Sequence, residues 1–292
     1  MIAVLRSQNI YYFVVGTLKR RCSSSTLFDG KVDRYGGITV DLQKSHLDSP
    51  ETTFSDILKE SLLSWRKEGR KAVWLNIPVM KAALIPIAVK QGFCLHHSRG
   101  DCITMCQWMD DGSPSRLPLY ATHQVGVAGF VLNEETGQVL MVQDKIRVSL
   151  WKFPGGLSNP GEDIADTAIR EVYEETGVKT EFKSVISFRQ QHNHPNAFGN
   201  SDIYVVCRLQ PLTSAITVCQ DELLDAKWMK IHDVAHDVNI PTLTTRICRL
   251  GICGMVEGFD KVDIQMEKLE SIYRGAFYKI YHRPLSDKYN YM

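Results

Sequence analysis

The chain has 292 residues, of which 44% are hydrophobic and 23% are charged. These fractions and this length suit about two globular domains and exclude a disordered, collagenous or coiled-coil protein. The 34 basic residues nearly balance the 33 acidic residues, which leaves a net charge of +1. That balance disfavours a binder of duplex DNA, and no apolar run approaches the roughly 18 residues that a membrane span requires.

The eight cysteines are too sparse for a disulfide-stapled scaffold, and no two of them form a C-x-x-C pair. We interpret them as reduced thiols that mostly serve as small core residues. Zinc binding by Cys102 and Cys106 is the alternative, although no second ligand pair follows them at zinc-finger spacing.

The first 28 residues contain no acidic residue, and Arg6, Lys19, Arg20 and Arg21 make them basic. A basic, serine-bearing N-terminus without acidic residues is typical of a mitochondrial transit peptide. We therefore predict that residues 1–26 are such a leader and that the protein is mitochondrial. A secretory signal and a terminus without function are the alternatives, and the last of these would leave the protein in the cytoplasm or nucleus.

Residues 27–113 are predicted to form a small α/β domain. Apolar residues at helical spacing indicate two helices, and β-favouring runs indicate four strands; the helices cover 49–68 and 81–91, and the strands 38–42, 72–77, 93–97 and 101–108. This order resembles an acetyltransferase-like domain. The RKEGRK segment at 66–71 departs from the pyrophosphate-binding loop of an active acetyltransferase at its last position. We therefore expect this domain to serve dimerisation or to shape a substrate cleft.

A polar connector over 110–119, with Gly112, Pro114 and Pro118, ends the first domain. We place the second domain at 121–262. It begins with a strand over 124–132, a turn and a return strand over 138–143. Residues 263–292 follow as a C-terminal tail of mixed charge with many tyrosines, and their pattern predicts no role.

The second domain contains a dense acidic motif at residues 156–178, which read GLSNPGEDIADTAIREVYEETGV. Five residues separate Gly156 from Glu162, and seven more precede the triplet that begins with Arg170. Two adjacent glutamates, Glu174 and Glu175, follow one residue after that triplet. Gly177 and an aliphatic residue close the motif.

The spacing of this motif has a physical meaning of its own. Residues 163–176 contain no Pro or Gly, and Gly177 suits a C-cap, so we predict a helix there. At about 100° per residue, Glu171, Glu174 and Glu175 fall within one arc of about 100°. Three neighbouring carboxylates repel each other unless a cation lies among them, and their oxygens suit Mg²⁺ or Mn²⁺. A solvated glutamate-rich face is the alternative.

Every defining position of the motif matches the Nudix box, and the chain is similar to the Nudix hydrolase family over residues 121–250. The WKFPGG segment at 151–156 is also typical of that family. The resemblance implies an α+β fold, in which the second domain is an α/β/α sandwich with a mixed sheet. Plant Nudix hydrolases that act on ADP-ribose and NADH share the two-part layout.

The resemblance also implies roles for the motif residues, with Mg²⁺ or Mn²⁺ as the cofactor. Glu171 and Glu175 would be the principal metal ligands, Glu174 a further ligand or the general base, and Glu162 an outer-sphere ligand. Arg170 would neutralise and fix one of the carboxylates. We therefore predict Glu174, Glu175 and Arg170 as catalytic residues.

Candidates for phosphate or substrate binding flank the helix on both sides; they are Gly155, Gly156, Phe153, Arg189, Gln191 and Glu222. Glycines let the backbone bend closely around phosphates. The polar cluster at 189–194 suits contact with a base, a ribose or a distal phosphate, and a solvated hairpin is its alternative. Phe153 could stack on a nucleobase, and core packing is its alternative.

The sequence thus predicts a divalent-metal-dependent hydrolase that cleaves the pyrophosphate of a nucleoside diphosphate linked to another moiety. ADP-ribose and NADH are the first substrates to test. The alternatives are a nucleotide-binding or regulatory Nudix protein with weak catalysis and a hydrolase of capped RNA. We expect a nucleotide derivative as the partner and neither DNA binding nor a membrane span, and we leave a homodimer open.

Overall fold

The computed structural model describes residues 27–43, 51–145, 150–195 and 197–285. The predicted leader at 1–26, on which the mitochondrial localisation depends, lies outside the described residues. The chain divides into two compact units between Tyr120 and Ala121, one residue beyond the predicted connector. No helix in the described part of the chain is long and apolar enough to cross a membrane.

The N-terminal unit contains one five-stranded sheet, whose strands are β1 (Lys31–Val32), β2 (Gly37–Asp41), β3 (Ala72–Pro78), β4 (Cys94–Arg99) and β5 (Cys102–Trp108). The strand order is β1-β2-β3-β5-β4, and only β2 and β3 run parallel. Helix α1 spans Glu51–Lys67, and helix α2 spans Ile85–Lys90. The second predicted helix is thus shorter than expected, because a 3₁₀ helix occupies Val79–Leu84 and the α-helix begins only beside Pro86.

The helices of the N-terminal unit pack on one face of its sheet. The buried residues of α1 recur at a spacing of three or four, as Phe54 and Leu58 show. In strand β3 every second side chain enters the same core, where Val73, Leu75 and Ile77 are fully buried under the helices. The residues between them therefore point to the opposite face.

The C-terminal unit contains a seven-stranded mixed sheet; its strands are β6 (His123–Asn133), β7 (Gln138–Asp144), β8 (Trp151–Lys152), β9 (Gly155–Leu157), β10 (Thr180–Gln191), β11 (Ser201–Pro211) and β12 (Leu223–Lys230). The order is β10-β11-β6-β7-β12, with β8 beside β7 and β9 beside β6. Strands β6 and β11 pair in parallel, and the other pairs are antiparallel. The helices are α3 (Ile164–Thr176), α4 (Ile231–His236) and α5 (Thr242–Glu257).

Helices cover both faces of this sheet because strand β6 is apolar on both sides. Val127 and Val131 pack with α3, whereas Phe130 packs with α4 and α5 on the other face. This arrangement confirms the predicted α+β class and the α/β/α sandwich with a mixed sheet. The acetyltransferase-like character of the N-terminal unit stays a prediction. The sequence pattern did not indicate α5.

The segment that the sequence pattern set apart as a tail forms part of the C-terminal unit. A 3₁₀ turn at Phe259–Lys261 leads to a two-stranded sheet of β13 (Gln265–Glu270) and β14 (Phe277–His282). Ile264 forms an antiparallel bridge with Val185 of strand β10. Its neighbour in the chain, Asp263, is buried. Contacts between residues about eighty positions apart leave no local pattern, which is why the sequence pattern set the segment apart as a tail.

Candidate active site

The acidic motif forms the helix that the sequence predicts. Helix α3 begins after Asp163 and ends at Gly177, whose left-handed backbone (φ 67°) allows its N–H to bond the carbonyl of Tyr173. Ala168 and Val172 are fully buried against the sheet. The other face of the helix, which carries the carboxylates, therefore lies toward the preceding loop.

Arg170 binds three of the carboxylates at once. Its Nε and Nη2 atoms donate to the two oxygens of Glu162, at 2.7 and 2.9 Å. Its Nη1 atom donates to Glu171 at 2.8 Å and to Glu174 at 2.9 Å. These bonds hold the pKa of Glu162 down to about 2 and raise the pKa of Arg170 above its ordinary value. The arginine therefore orients the acidic face and offsets the repulsion within it.

Glu175 is the buried carboxylate of the set, with 4% of the residue exposed. Its Oε2 atom accepts a hydrogen bond of 3.0 Å from the backbone N–H of Gly155. Burial raises the pKa of Glu175 to about 7, against the opposing effect of the charge on Lys152. Burial also raises the pKa of Glu171, although Arg170 opposes this shift. Both groups would hold their negative charge more readily beside a cation.

The glycine pair at the start of β9 lets the loop approach this helix. A Cβ atom on Gly156 would lie 2.6 Å from the Glu171 carboxylate. A Cβ atom on Gly155, whose φ is 155°, would lie 2.3 Å from the carbonyl oxygen of Val127. Only glycine fits at both positions without displacing neighbouring atoms. The backbone therefore reaches the carboxylates directly.

A cleft of about 570 Å³ adjoins the glycine pair. Its charged and polar lining includes Lys152, which forms an ion pair of 3.1 Å with Asp144. On another wall, Nη2 of Arg189 donates to the carboxylate of Asp202, and its guanidinium carbon lies 5.1 Å from the ring centroid of Tyr204. A volume of this size falls within the roughly 300–1,000 Å³ range of small-molecule sites.

The structure brings most of the predicted site residues together. Arg170 joins Glu162, Glu171 and Glu174 in one hydrogen-bonded group. Glu175 accepts the backbone N–H of the glycine pair instead, and Arg189 lines the adjoining cleft. Glu222 is exposed, and its charge contributes to the raised pKa of Glu171. Gln191 pairs in register with Asp202 but is absent from the residues that line the cleft.

Phe153 lies in the core rather than on an open stacking surface. It is 3% exposed, and its ring meets that of Phe130 edge to face at a centroid distance of 5.4 Å. The structure therefore favours core packing over nucleobase stacking for this residue, although it also borders the cleft. Aromatic side chains serve both in cores and in nucleobase stacking, so the sequence does not separate these two roles for Phe153.

Sequence reasoning missed the polar residues that line the cleft from the sheet. Asp202 is buried, and its other oxygen accepts a hydrogen bond of 2.9 Å from Nε2 of Gln124. Tyr204 follows two positions later on the same side of β11. The available signal was a charged residue inside an apolar strand, since a buried carboxylate needs partners. Lys152, between two aromatic residues, gave a similar signal.

The donor set suits a hard divalent cation. Glu171 and Glu175 lie one helical turn apart, and burial disfavours the charge on both. Across the described ranges, no three Asp, Glu, His or Cys side chains form a group that could hold a metal on their own, and this includes Cys102 and Cys106. Mg²⁺ fits a site with few protein ligands, because it keeps several waters and also binds substrate phosphates.

Comparisons with known proteins define the class. The Nudix hydrolase domain model matches residues 28–109, and the NUDIX domain model matches residues 122–245. The chain belongs to the Nudix hydrolase family and is a pyrophosphohydrolase enzyme, and that family typically uses a divalent metal.

The most similar relatives include the mouse protein named nucleoside diphosphate-linked moiety X motif 6, which is 48% identical over 279 residues, or 94% of this chain and 88% of its own length. The human protein of that name is 49% identical over 268 residues, or 90% and 84%. Nudix hydrolase 8 of Arabidopsis thaliana is 45% identical over 210 residues, or 70% and 56%. The chain is thus similar to the vertebrate Nudix protein encoded antisense to the basic fibroblast growth factor gene.

Proposed function

We propose that the protein is a Mg²⁺- or Mn²⁺-dependent hydrolase that cleaves the pyrophosphate of a nucleoside diphosphate linked to another moiety. The observation that carries this proposal is the buried Glu175 carboxylate, which bonds the Gly155 backbone at 3.0 Å beside a ligand-sized cleft. Desolvation of a carboxylate costs stability, so a carboxylate that is kept buried beside a cleft points to a functional role. The mouse and human relatives carry names that refer to a nucleoside diphosphate-linked moiety.

In this proposal, Glu171 and Glu175 hold the divalent cation, and Glu162 supports it from the outer sphere. When bound, the cation neutralises phosphate charge and orients the attacking water. Arg170 keeps the carboxylates in place through its hydrogen bonds. Glu175 or the exposed Glu174 takes the proton from water.

The cleft supports a substrate with separate anionic and planar parts. Lys152 lines it near the glycine pair and suits a phosphate. The Arg189 guanidinium, oriented by Asp202 and close to the Tyr204 ring, offers a flat cationic surface for a base or a distal ribose phosphate. We therefore propose ADP-ribose and NADH as the first substrates.

The test is a panel of ADP-ribose, NADH, coenzyme A, a dinucleoside polyphosphate and capped RNA, with product masses read after incubation with Mg²⁺ or Mn²⁺. Metal-dependent cleavage that Glu175→Gln abolishes would support the proposal and name the substrate. Nucleotide binding without cleavage would instead favour a regulatory Nudix protein. Selective release of a capped nucleotide would favour RNA processing.

Three further expectations stay predictions. They are mitochondrial import through residues 1–26, an oligomeric state that is open to a homodimer, and the lack of DNA binding. The near-zero net charge supports the last of these. Imaging of the full chain fused to a fluorescent protein at its C-terminus would test the first, and light scattering of the purified protein the second.

A further inference from the structure

The N-terminal unit has a second cavity, which none of the motif residues line. Its volume is about 680 Å³, and all of its lining residues lie between 33 and 118. The helices of this unit cover one face of the sheet, and the cavity lies on the other. Trp74 lines it from β3, where the flanking Val73 and Leu75 point into the core.

Strand register explains why this face is hollow. Gly37 pairs with Ala72, and Ala72 pairs with Trp108 on its other side, so two small residues lie beside a large one. Trp74 lies two positions along β3 from Ala72 and therefore diagonally opposite Trp108. The small residues form the floor, and the two indole rings, together with the exposed Tyr35, form the walls.

Hydrogen bonds hold the connector segment over this floor. The Trp108 indole N–H donates to the carbonyl oxygens of Asp110 and Ser113, each at 3.0 Å. Nε2 of His96 lies 2.8 Å from the carbonyl oxygen of Pro118, which requires its proton on that nitrogen. The cavity is therefore formed before any ligand binds.

Among the described charged residues that line the cavity, the two acids have hydrogen-bond partners and one cation does not. Asp33 accepts the backbone N–H groups of Tyr35 and Gly37, at 2.7 and 2.9 Å. The Asp110 carboxylate accepts Lys71 at 2.6 Å. Within the described part of the chain, Arg116 forms no hydrogen bond or ion pair, so its guanidinium is available to a ligand.

We propose that this cavity binds a planar aromatic anion of the nucleoside monophosphate class. The ring stacks against Trp74, Trp108 or Tyr35, and the phosphate pairs with Arg116. The Trp108 indole N–H keeps its two carbonyl partners, because stacking uses only the ring face. The site is distinct from the catalytic cleft, which the C-terminal unit lines.

The experiment titrates AMP into the full chain by calorimetry, with Arg116→Ala and Trp74→Leu as test variants. Arg189→Ala is the matched control, because it removes an arginine from the catalytic cleft. We expect Arg189→Ala to retain this binding event, and each test variant to weaken it by about 10-fold or more. Adenosine lacks the phosphate. Its affinity for the unsubstituted chain should be no higher than the affinity of AMP for Arg116→Ala.

Two results would overturn the proposal. One is the absence of AMP binding at millimolar concentrations, and the other is binding that Arg189→Ala removes while both test variants retain it. Equal affinity for AMP and adenosine would refute the role of Arg116. Trp74→Leu removes an edge-on contact with His96 and could reduce stability. Arg116 is exposed on the connector, so Arg116→Ala should leave the fold intact and keeps the test valid.

Discussion

The backbone N–H of Gly155 donates a hydrogen bond of 3.0 Å to the buried carboxylate of Glu175. This single bond joins strand β9 to helix α3 across twenty residues of sequence. It places the most desolvated acid of the motif beside the loop that approaches the cleft. The geometry of the site therefore depends on strand β9 as much as on the helix.

Glu175→Gln should reduce hydrolysis by about 100-fold or more, because an amide neither accepts the proton nor binds a divalent cation well. The substituted side chain still accepts the Gly155 N–H, so the thermal unfolding temperature should not fall. Asp166→Asn, an exposed acid on the same helix, is the control and should retain activity. Wild-type rates in Glu175→Gln would contradict the proposed site.

The stability of the metal-free protein should decrease as pH rises. Burial raises the pKa of Glu175 from 4.5 to about 7, so the folded state keeps a proton that the unfolded state has lost. The free energy of unfolding should thus fall by about 3 kcal/mol between about pH 4.5 and about pH 7. Urea denaturation in EDTA measures it. The decrease should be much smaller in Glu175→Gln, and equal pH profiles would refute the assignment.

Gly156→Ala should impair catalysis more than stability. The added Cβ would lie 2.6 Å from the Glu171 carboxylate and push it away from its place beside Arg170. We expect a rise in the Mg²⁺ concentration that gives half-maximal rate, measured by metal titration. Gly161→Ala, in the same loop, places its methyl in open space and should cost only backbone strain of about 1 kcal/mol. A similar Mg²⁺ requirement in both variants would contradict the predicted displacement of the Glu171 carboxylate.

Arg170→Lys should lower activity by about 10-fold, although the charge is kept. A lysine ammonium is a point charge and cannot hold Glu162, Glu171 and Glu174 with the separate donors of a guanidinium. Steady-state rates at saturating Mg²⁺ provide the measurement. Arg246→Lys, on the exposed side of α5, is the control and should leave the rate unchanged.

Asp263→Asn should destabilise the C-terminal unit by about 3 kcal/mol, because it removes the carboxylate charge that pairs with the buried Arg208 guanidinium. Asp263 accepts hydrogen bonds from Nε of Arg208 at 3.1 Å and from Oγ of Ser184 at 2.6 Å. Chemical denaturation provides the measurement. The exposed Asp260→Asn is the control and should change stability little. Equal stability of the two variants would refute the stabilising role of this buried ion pair.

The sequence predicted helix α3 closely, because its limits depend on local chemistry. An uninterrupted run of helix-forming residues and a terminal glycine determine where it begins and ends. The same periodicity placed Glu171, Glu174 and Glu175 on one arc. It could not distinguish the exposed Glu174 from the buried Glu175, because burial depends on what packs against the arc.

The residues that line the cleft depend on contacts between distant segments. Gln124 bonds Asp202 across 78 positions because β6 and β11 pair in parallel, and strand alternation places Tyr204 beside them. Helix α5 and the buried Asp263 likewise depend on packing against a sheet that forms from other parts of the chain. No short-range pattern contains such pairings.

The sequence alone therefore determined the family, the acidic helix and the kind of ion that its carboxylates suit, because local spacing sets helix position and side-chain chemistry. Only the tertiary structure decided which carboxylate is desolvated, that Arg170 binds three of them, and that Phe153 belongs to the core. It also decided where the two cavities lie. Desolvation and enclosure arise when segments distant in sequence pack together, so they exist only in the folded chain.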